Sequence, residues 1–200
     1  MAPRPDPVPV PALHEKAEEN LRFIRETMTR GVSFTAVSGR GGVAMGAIGL
    51  AAAALASRQA SAREWLVVWL LAALLALAVG VAAILRKARS AEVSVTRGAG
   101  RRFALALVPP LLAGGALTFA LAEIGVFGVL PALWLLLYGS AVLAAGAHSV
   151  APVPALGAVL VALGLLSLAL PPAFGNALLA AGFGLGHVVT GAVIARRHGG

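Results

Sequence analysis

Two hundred residues, 59% of them hydrophobic and only 12% charged, with a mean hydropathy of +0.89, exclude an ordinary water-soluble domain, which carries roughly 25% charged residues. A core of this size cannot bury so much apolar surface, so a bilayer must solvate part of it. The net charge of +8 would suggest nucleic acid in a soluble protein, but here the basic residues sit at the ends of apolar runs, where they set topology and meet anionic headgroups.

The absence of cysteine excludes disulfides, iron–sulfur clusters and cysteine-based zinc sites. No continuous apolar core marks the first forty residues as a cleavable signal peptide, so the first span is expected to serve as the insertion signal.

Residues 1–12 form a proline-rich tail, with Pro3, Pro5, Pro7, Pro9 and Pro11 favouring extended geometry and excluding a helix. From residue 13 to 31 the pattern becomes helical. Leu13, Ala17, Leu21, Ile24 and Met28 recur at steps of three or four, Glu18–Arg22 and Glu26–Arg30 are spaced for i,i+4 pairing, and Gly31 can end the helix. Too polar to span, this amphipathic helix is expected at the cytoplasmic membrane surface, with Leu21, Ile24 and Met28 as candidates for docking a protein partner or a second copy.

A glycine-rich approach follows, Ser38-Gly39-Arg40-Gly41-Gly42, without the spacing of a dinucleotide fingerprint or a phosphate-binding loop. Arg40, Gly41 and Gly42 are candidates for contact with lipid phosphate or another anion. The membrane domain, residues 41–200, then shows six apolar runs, near 43–56, 65–85, 103–122, 126–147, 152–170 and 174–195. The first run is short, and Gly42, Gly46 and Gly49 permit close helix contact along it.

The polar segment between the second and third runs carries Arg86, Lys87, Arg89, Arg97, Arg101 and Arg102 against the single acid Glu92. Short loops rich in Lys and Arg stay on the cytoplasmic side. This places both termini inside and makes Arg101 and Arg102 further lipid-contact candidates. Pro109-Pro110 and Gly114-Gly115 should kink or loosen the third span. The fold expected is therefore an all-α polytopic membrane bundle of six transmembrane helices in three hairpins, near 41–89, 103–148 and 152–197, preceded by the amphipathic helix. The hairpins could be a parallel repeat.

Within the spans, His187 stands out, because an ionisable side chain at membrane depth is rare and invites a functional reading. Gly182, Gly186 and Thr190 form a small-residue strip beside it, suited to helix packing. A structural His187, hydrogen-bonded to a hydroxyl or a carbonyl, is the simplest reading. The same strip could clear room for a planar cofactor, with His187 and His148 as haem ligands. No nucleophile–base pair, paired carboxylates or zinc-binding motif is present, and no cofactor is expected.

Glu19-Asn20-Leu21-Arg22-Phe23-Ile24-Arg25-Glu26-Thr27-Met28, then Phe34-Thr35-Ala36-Val37 and Gly41-Gly42, resembles the start of a group of small uncharacterised bacterial membrane proteins. The ending from Leu178 through Gly182-Phe183-Gly184 and His187 to Arg197 is similar to theirs too. The resemblance implies six spans in a bacterial cytoplasmic membrane and brings no activity with it.

The leading expectation is a non-enzymatic multi-pass protein that acts by association with lipid, including anionic lipid, and with a protein partner or a second copy, not with nucleic acid. The alternatives are a small transporter or channel with a pathway near His187, and a haem or other cofactor-binding membrane protein.

Overall fold

The computed structural model describes residue 16, residues 18–24 and residues 34–198, which fall into two units, Met1–Val32 and Ser33–Gly200. In the first unit the described residues are helical, and Leu21, Phe23 and Ile24 are exposed. Arg22 pairs with Glu19 one turn back, at 3.9 Å, rather than with Glu18. The proline-rich tail, Leu13, Ala17, Met28, the Glu26–Arg30 pair and the glycine stop lie outside the described residues.

In the second unit, Phe34 is held first. Its N–H donates to His148 O (2.7 Å), its carbonyl accepts from Ser149 Oγ (2.8 Å), and its ring lies 5.1 Å from that of Phe103. Ser38 then caps α1 (Gly39–Ala56), its hydroxyl accepting from the Gly41 N–H. The helix therefore begins four residues before the apolar run does, which gives the short first span 18 residues, about 27 Å.

Helix α2 (Ala62–Ser90) opens on a capping box in which Ser61 and Glu64 satisfy each other's backbone N–H groups. It therefore absorbs Arg63 and Glu64, which precede the apolar run near 65–85, and at its far end Arg86, Lys87 and Arg89. The connection to α3 (Gly98–Glu123) is only residues 91–97, with Glu92 and Gly98 at positive φ. Cations in the last turn of α2 suit its helix dipole, whereas Arg101 and Arg102 in the first turns of α3 oppose theirs. Helix stability therefore does not explain that second pair. Pro109 and Pro110 lie inside α3, which continues unbroken through them.

Helix α4 (Leu130–Gly146) begins after the turn at Gly125, later than its apolar run, and has 17 residues. Helix α5 (Pro152–Ala169) starts on Pro152 and Pro154. The last helix, α6 (Pro172–His198), changes pitch along its length, from a 3-10 turn at Pro172–Phe174 through α-helix to a π segment, Ala180–Gly186, and back to α-helix from His187. Five of these helices are long and apolar enough to cross a bilayer, and α4 is apolar but shorter. The second unit is thus a helical bundle compatible with a multi-pass membrane protein.

Glycines decide which helices meet. Gly139 and Gly146 of α4 face Leu160 and Pro154 of α5, while Gly157 lies against the Leu143 backbone and Gly164 against Leu136. On α1, Gly39, Gly42, Gly46 and Gly49 meet the backbone of α6 at Ala195, Gly191, Gly184 and Phe183. Two hairpins, α1–α2 and α3–α4, are as expected, but the third is opened: α5 lies chiefly on α4, and α6 on α1. Close backbone approach at small residues outweighs sequence adjacency here.

Five contacts define one end of this unit. Lys87 Nζ donates to Val37 O (3.0 Å) and His198 O (2.9 Å), joining the start of α1 to the ends of α2 and α6. The contacts of Phe34 with Phe103, His148 and Ser149 bring the start of α3 and the α4–α5 turn to the same end. The helices therefore alternate in direction.

Candidate functional site

The most chemically differentiated region of the bundle is a column of aromatic rings that starts near the end opposite Lys87 and leads to His187. The Trp134 and Trp65 rings stack parallel at 5.5 Å, Trp65 neighbours Trp69 at 6.4 Å, and Trp69 neighbours Phe183 at 6.3 Å. Phe183 meets the Tyr138 ring edge-on at 5.4 Å, and Tyr138 lies 5.5 Å from the His187 ring. Such tilted and offset geometries are the favourable ones for aromatic quadrupoles.

Polar partners fasten this column. Asn176 of α6 accepts from both Trp65 Nε1 (3.2 Å) and Trp69 Nε1 (3.0 Å) through Oδ1, and its Nδ2 donates to Ala53 O of α1 (2.9 Å). One amide thereby ties three helices. Trp134 Nε1 donates to the buried Thr118 hydroxyl (2.8 Å), which donates onward to Gly114 O (2.6 Å), fastening α3 to α4.

His187 is buried directly after the π segment. Its Nδ1 lies 3.3 Å from Gly182 O and its Nε2 lies 3.0 Å from the Tyr138 hydroxyl. A carbonyl only accepts, so Nδ1 carries the proton, and in a neutral ring Nε2 accepts from Tyr138. The expected hydroxyl and carbonyl partners are both present.

The space beside the glycines is taken. A Cβ built on Gly182 would stand 2.7 Å from Leu135 Cδ2, one on Gly184 2.5 Å from Leu50 Cδ2, and one on Gly186 3.0 Å from Leu156 Cδ1. The π segment also turns Gly184 and Gly191 towards α1, so the small-residue face in use there differs from the Gly182, Gly186, Thr190 strip. His148 is half-exposed in the α4–α5 turn, ten residues from Tyr138, about 15 Å farther along the helix direction. With both ring nitrogens of His187 engaged and His148 elsewhere, the geometry does not fit a haem ligand pair. Among the described residues no group of three or more His, Asp or Glu side chains could hold a metal ion.

At the Lys87 end, Arg40 and Gly41 line a cleft with Arg86 and Lys87. Gly42 instead faces Gly191 of α6. Arg101 is exposed and Arg102 half-buried at the start of α3, and neither lines that cleft. Leu21 and Ile24 belong to the first unit, where both are exposed.

Sequence reasoning singled out His187 but not Asn176. The available signal was a lone carboxamide within an apolar run, a group that must find a partner inside a membrane.

The pairing of Tyr138 and His187 has a measurable consequence. Tyr138→Phe removes the hydroxyl alone and should cost about 1–2 kcal/mol of stability in detergent. In a cycle with His187→Leu the two losses should fall short of additive by about 1 kcal/mol. Additive losses would show that the two rings do not interact.

Comparison with known proteins adds no relative to this geometry: no family model matches the chain, and it matches no curated protein and no solved structure.

Proposed function

We propose that this chain is a six-span protein of a bacterial cytoplasmic membrane, with both termini on the cytoplasmic side, that works by association rather than catalysis. The observation that carries the topology is the charge difference between the two ends of the bundle. Arg40, Arg86, Lys87, Arg89, Arg97, Arg101, Arg102, Arg196 and Arg197 belong to the Lys87 end, against Arg58 and Arg63 at the other. The positive-inside rule then puts the first end in the cytoplasm. Helix α4, about 25 Å long against a hydrocarbon core of about 30 Å, counts as the remaining span because its flanks, Phe127 to Val129 and Ala147, extend its reach.

Association is supported by what the interior polar groups do. Among the described residues no buried side-chain nitrogen or oxygen lacks a partner, so the Trp, Asn, Thr, Tyr and His side chains are used in joining helices to one another. The association surfaces are then the exterior: bilayer-facing helices, the basic end, and the segment carrying Leu21, Ile24 and Met28.

Because the chain has no cysteine, its topology can be read cleanly from single-cysteine variants. Ala60→Cys, Ile124→Cys and Ala173→Cys should react with a membrane-impermeant maleimide in intact cells. Ala91→Cys and Ala147→Cys should react only after permeabilisation. An α4 that failed to cross would expose position 147 outside and hide position 173, and the six-span reading would be lost.

A second reading, a small transporter or channel with its path near His187, is favoured by one observation, the π segment Ala180–Gly186 immediately before that residue. Such irregular turns concentrate at functional sites. It requires proton or solute flux in proteoliposomes that disappears in His187→Ala, and an equal leak in the variant would refute it.

A further inference from the structure

The cleft at the Lys87 end holds two exposed arginines, Arg40 and Arg86, that the joining of helices described above does not use. It is a half-open depression of about 550 Å³ between the start of α1 and the last turns of α2, lined by Ser38, Arg40 and Gly41 on one side and by Arg86, Lys87 and Ser90 on the other, above a wall of Val79, Ala82 and Ala83. Three cations from two helices converge there, and among the described residues no carboxylate lines it. Arg40 and Arg86 are exposed. Lys87 plays a different part: its ammonium is anchored on the Val37 and His198 carbonyls, which fixes a positive charge in the wall of the cleft.

We propose that this cleft seats the headgroup of an anionic phospholipid, with Arg40 and Arg86 closing on the phosphate, Lys87 supplying fixed charge, and Ser38 and Ser90 within the same lining. The proposal deepens the association reading given above and takes from it only that the chain resides in a bilayer.

The apolar half of the lining favours a lipid over a free phosphate. Val79, Ala82, Ala83, Arg86, Lys87 and Ser90 form one stripe of α2 at steps of three and four. Continued away from the basic end, the same stripe reaches Leu75 and Leu71, which are 54% and 62% exposed. Charge at the interface followed by an uninterrupted apolar track matches an amphiphile, whose phosphate would sit at the arginines while an acyl chain runs along α2. Inorganic phosphate would use only the first half. Basic residues near a membrane surface attract anionic lipids generally; what distinguishes this place is a concave seat with cations on two walls, unlike the separate Arg101–Arg102 pair.

The test uses the full chain in a mild nonionic detergent, titrated with phosphatidylglycerol, phosphatidylcholine or inorganic phosphate and read by native mass spectrometry and thermal unfolding. Phosphatidylglycerol should bind saturably at one site and raise the unfolding temperature, while phosphatidylcholine and inorganic phosphate at equal concentration should do neither. Arg40→Gln with Arg86→Gln should weaken phosphatidylglycerol about tenfold or more, and Arg40→Lys with Arg86→Lys should keep most of the binding.

Arg101→Gln with Arg102→Gln, which removes the same charge outside the cleft, should leave the affinity unchanged. Equal weakening by both Gln pairs would overturn the site in favour of diffuse charge. Saturation by inorganic phosphate with the same sensitivity would overturn the lipid assignment, and absence of saturable binding would overturn both. These readouts do not depend on which end faces the cytoplasm, so failure here and failure of the cysteine topology are separately visible.

Discussion

Replacing Gly191 by alanine should destabilise the bundle by about 2–3 kcal/mol, whereas the same change at Gly115 should stabilise it by up to about 1 kcal/mol. At Gly191 the new methyl would lie 2.5 Å from Val43 N, 2.7 Å from Gly39 O and 2.8 Å from the Gly42 carbonyl carbon. All three are backbone atoms of α1, so relief requires the helices to part and not merely a side chain to rotate. Parting them also strains the reciprocal approach of Gly39 to Ala195 and the Lys87 hydrogen bonds to Val37 and His198.

At Gly115 a Cβ meets nothing within 4 Å, so what remains is the smaller backbone entropy lost by alanine in a helix. Unfolding by detergent titration measures both variants in one host. Equal and small effects would mean that the α1–α6 seam is looser than these distances require, and the glycine account of helix pairing would fail with it. Gly191→Val, with a bulkier side chain at the same point, should prevent stable assembly.

Much of this architecture was legible because bilayer solvation writes a coarse pattern. Six apolar runs, with basic residues clustered at alternate ends, depend only on length and charge, and each run corresponds to a helix. The Gly42, Gly46, Gly49 spacing foretold a close helix contact, since only small residues permit backbone approach, although the partner was not foreseen. Helix ends were misplaced where caps decide them. Ser61-Ala62-Arg63-Glu64 is a capping box signature, yet the apolar run begins only near residue 65, and the hydrogen bonds of Ser61 and Glu64 carry the helix back past both charges.

The remainder was illegible for tertiary reasons. The π segment depends on which backbone carbonyl each N–H selects, and AAGFGLG carries no propensity for that choice. Asn176 gains its importance from indoles 107 and 111 residues away in sequence. The basic cleft exists because two helices bring Arg40 and Arg86 into one lining. A charge count shows each of them, but not their convergence.

Asn176→Leu should cost about 2–4 kcal/mol and change the tryptophan emission of the whole protein. Leucine keeps the side chain's approximate volume but removes the acceptor for Trp65 and Trp69 and the donor to Ala53 O. The Ala53 carbonyl still accepts from Ser57 N (3.0 Å), so the loss falls on the two indole N–H groups. An unpaired buried donor costs about 1–3 kcal/mol, while interhelical hydrogen bonds in membranes average nearer 0.6 kcal/mol. Two orphaned donors plus the lost link to α1 therefore bracket the expected range.

The optical readout is unusually direct, because the three tryptophans of the chain, Trp65, Trp69 and Trp134, all belong to this cluster. Their emission has no contribution from elsewhere. Trp69→Phe alone should cost less, since it removes one donor and leaves Trp65 bonded to Asn176. The two substitutions combined should fall short of additive, because one of the two donors that Asn176→Leu orphans is already gone. If Asn176→Leu left both stability and emission unchanged, the amide would be a bystander at the end of the bundle. Trp65 and Trp69 would then be held by ring packing alone.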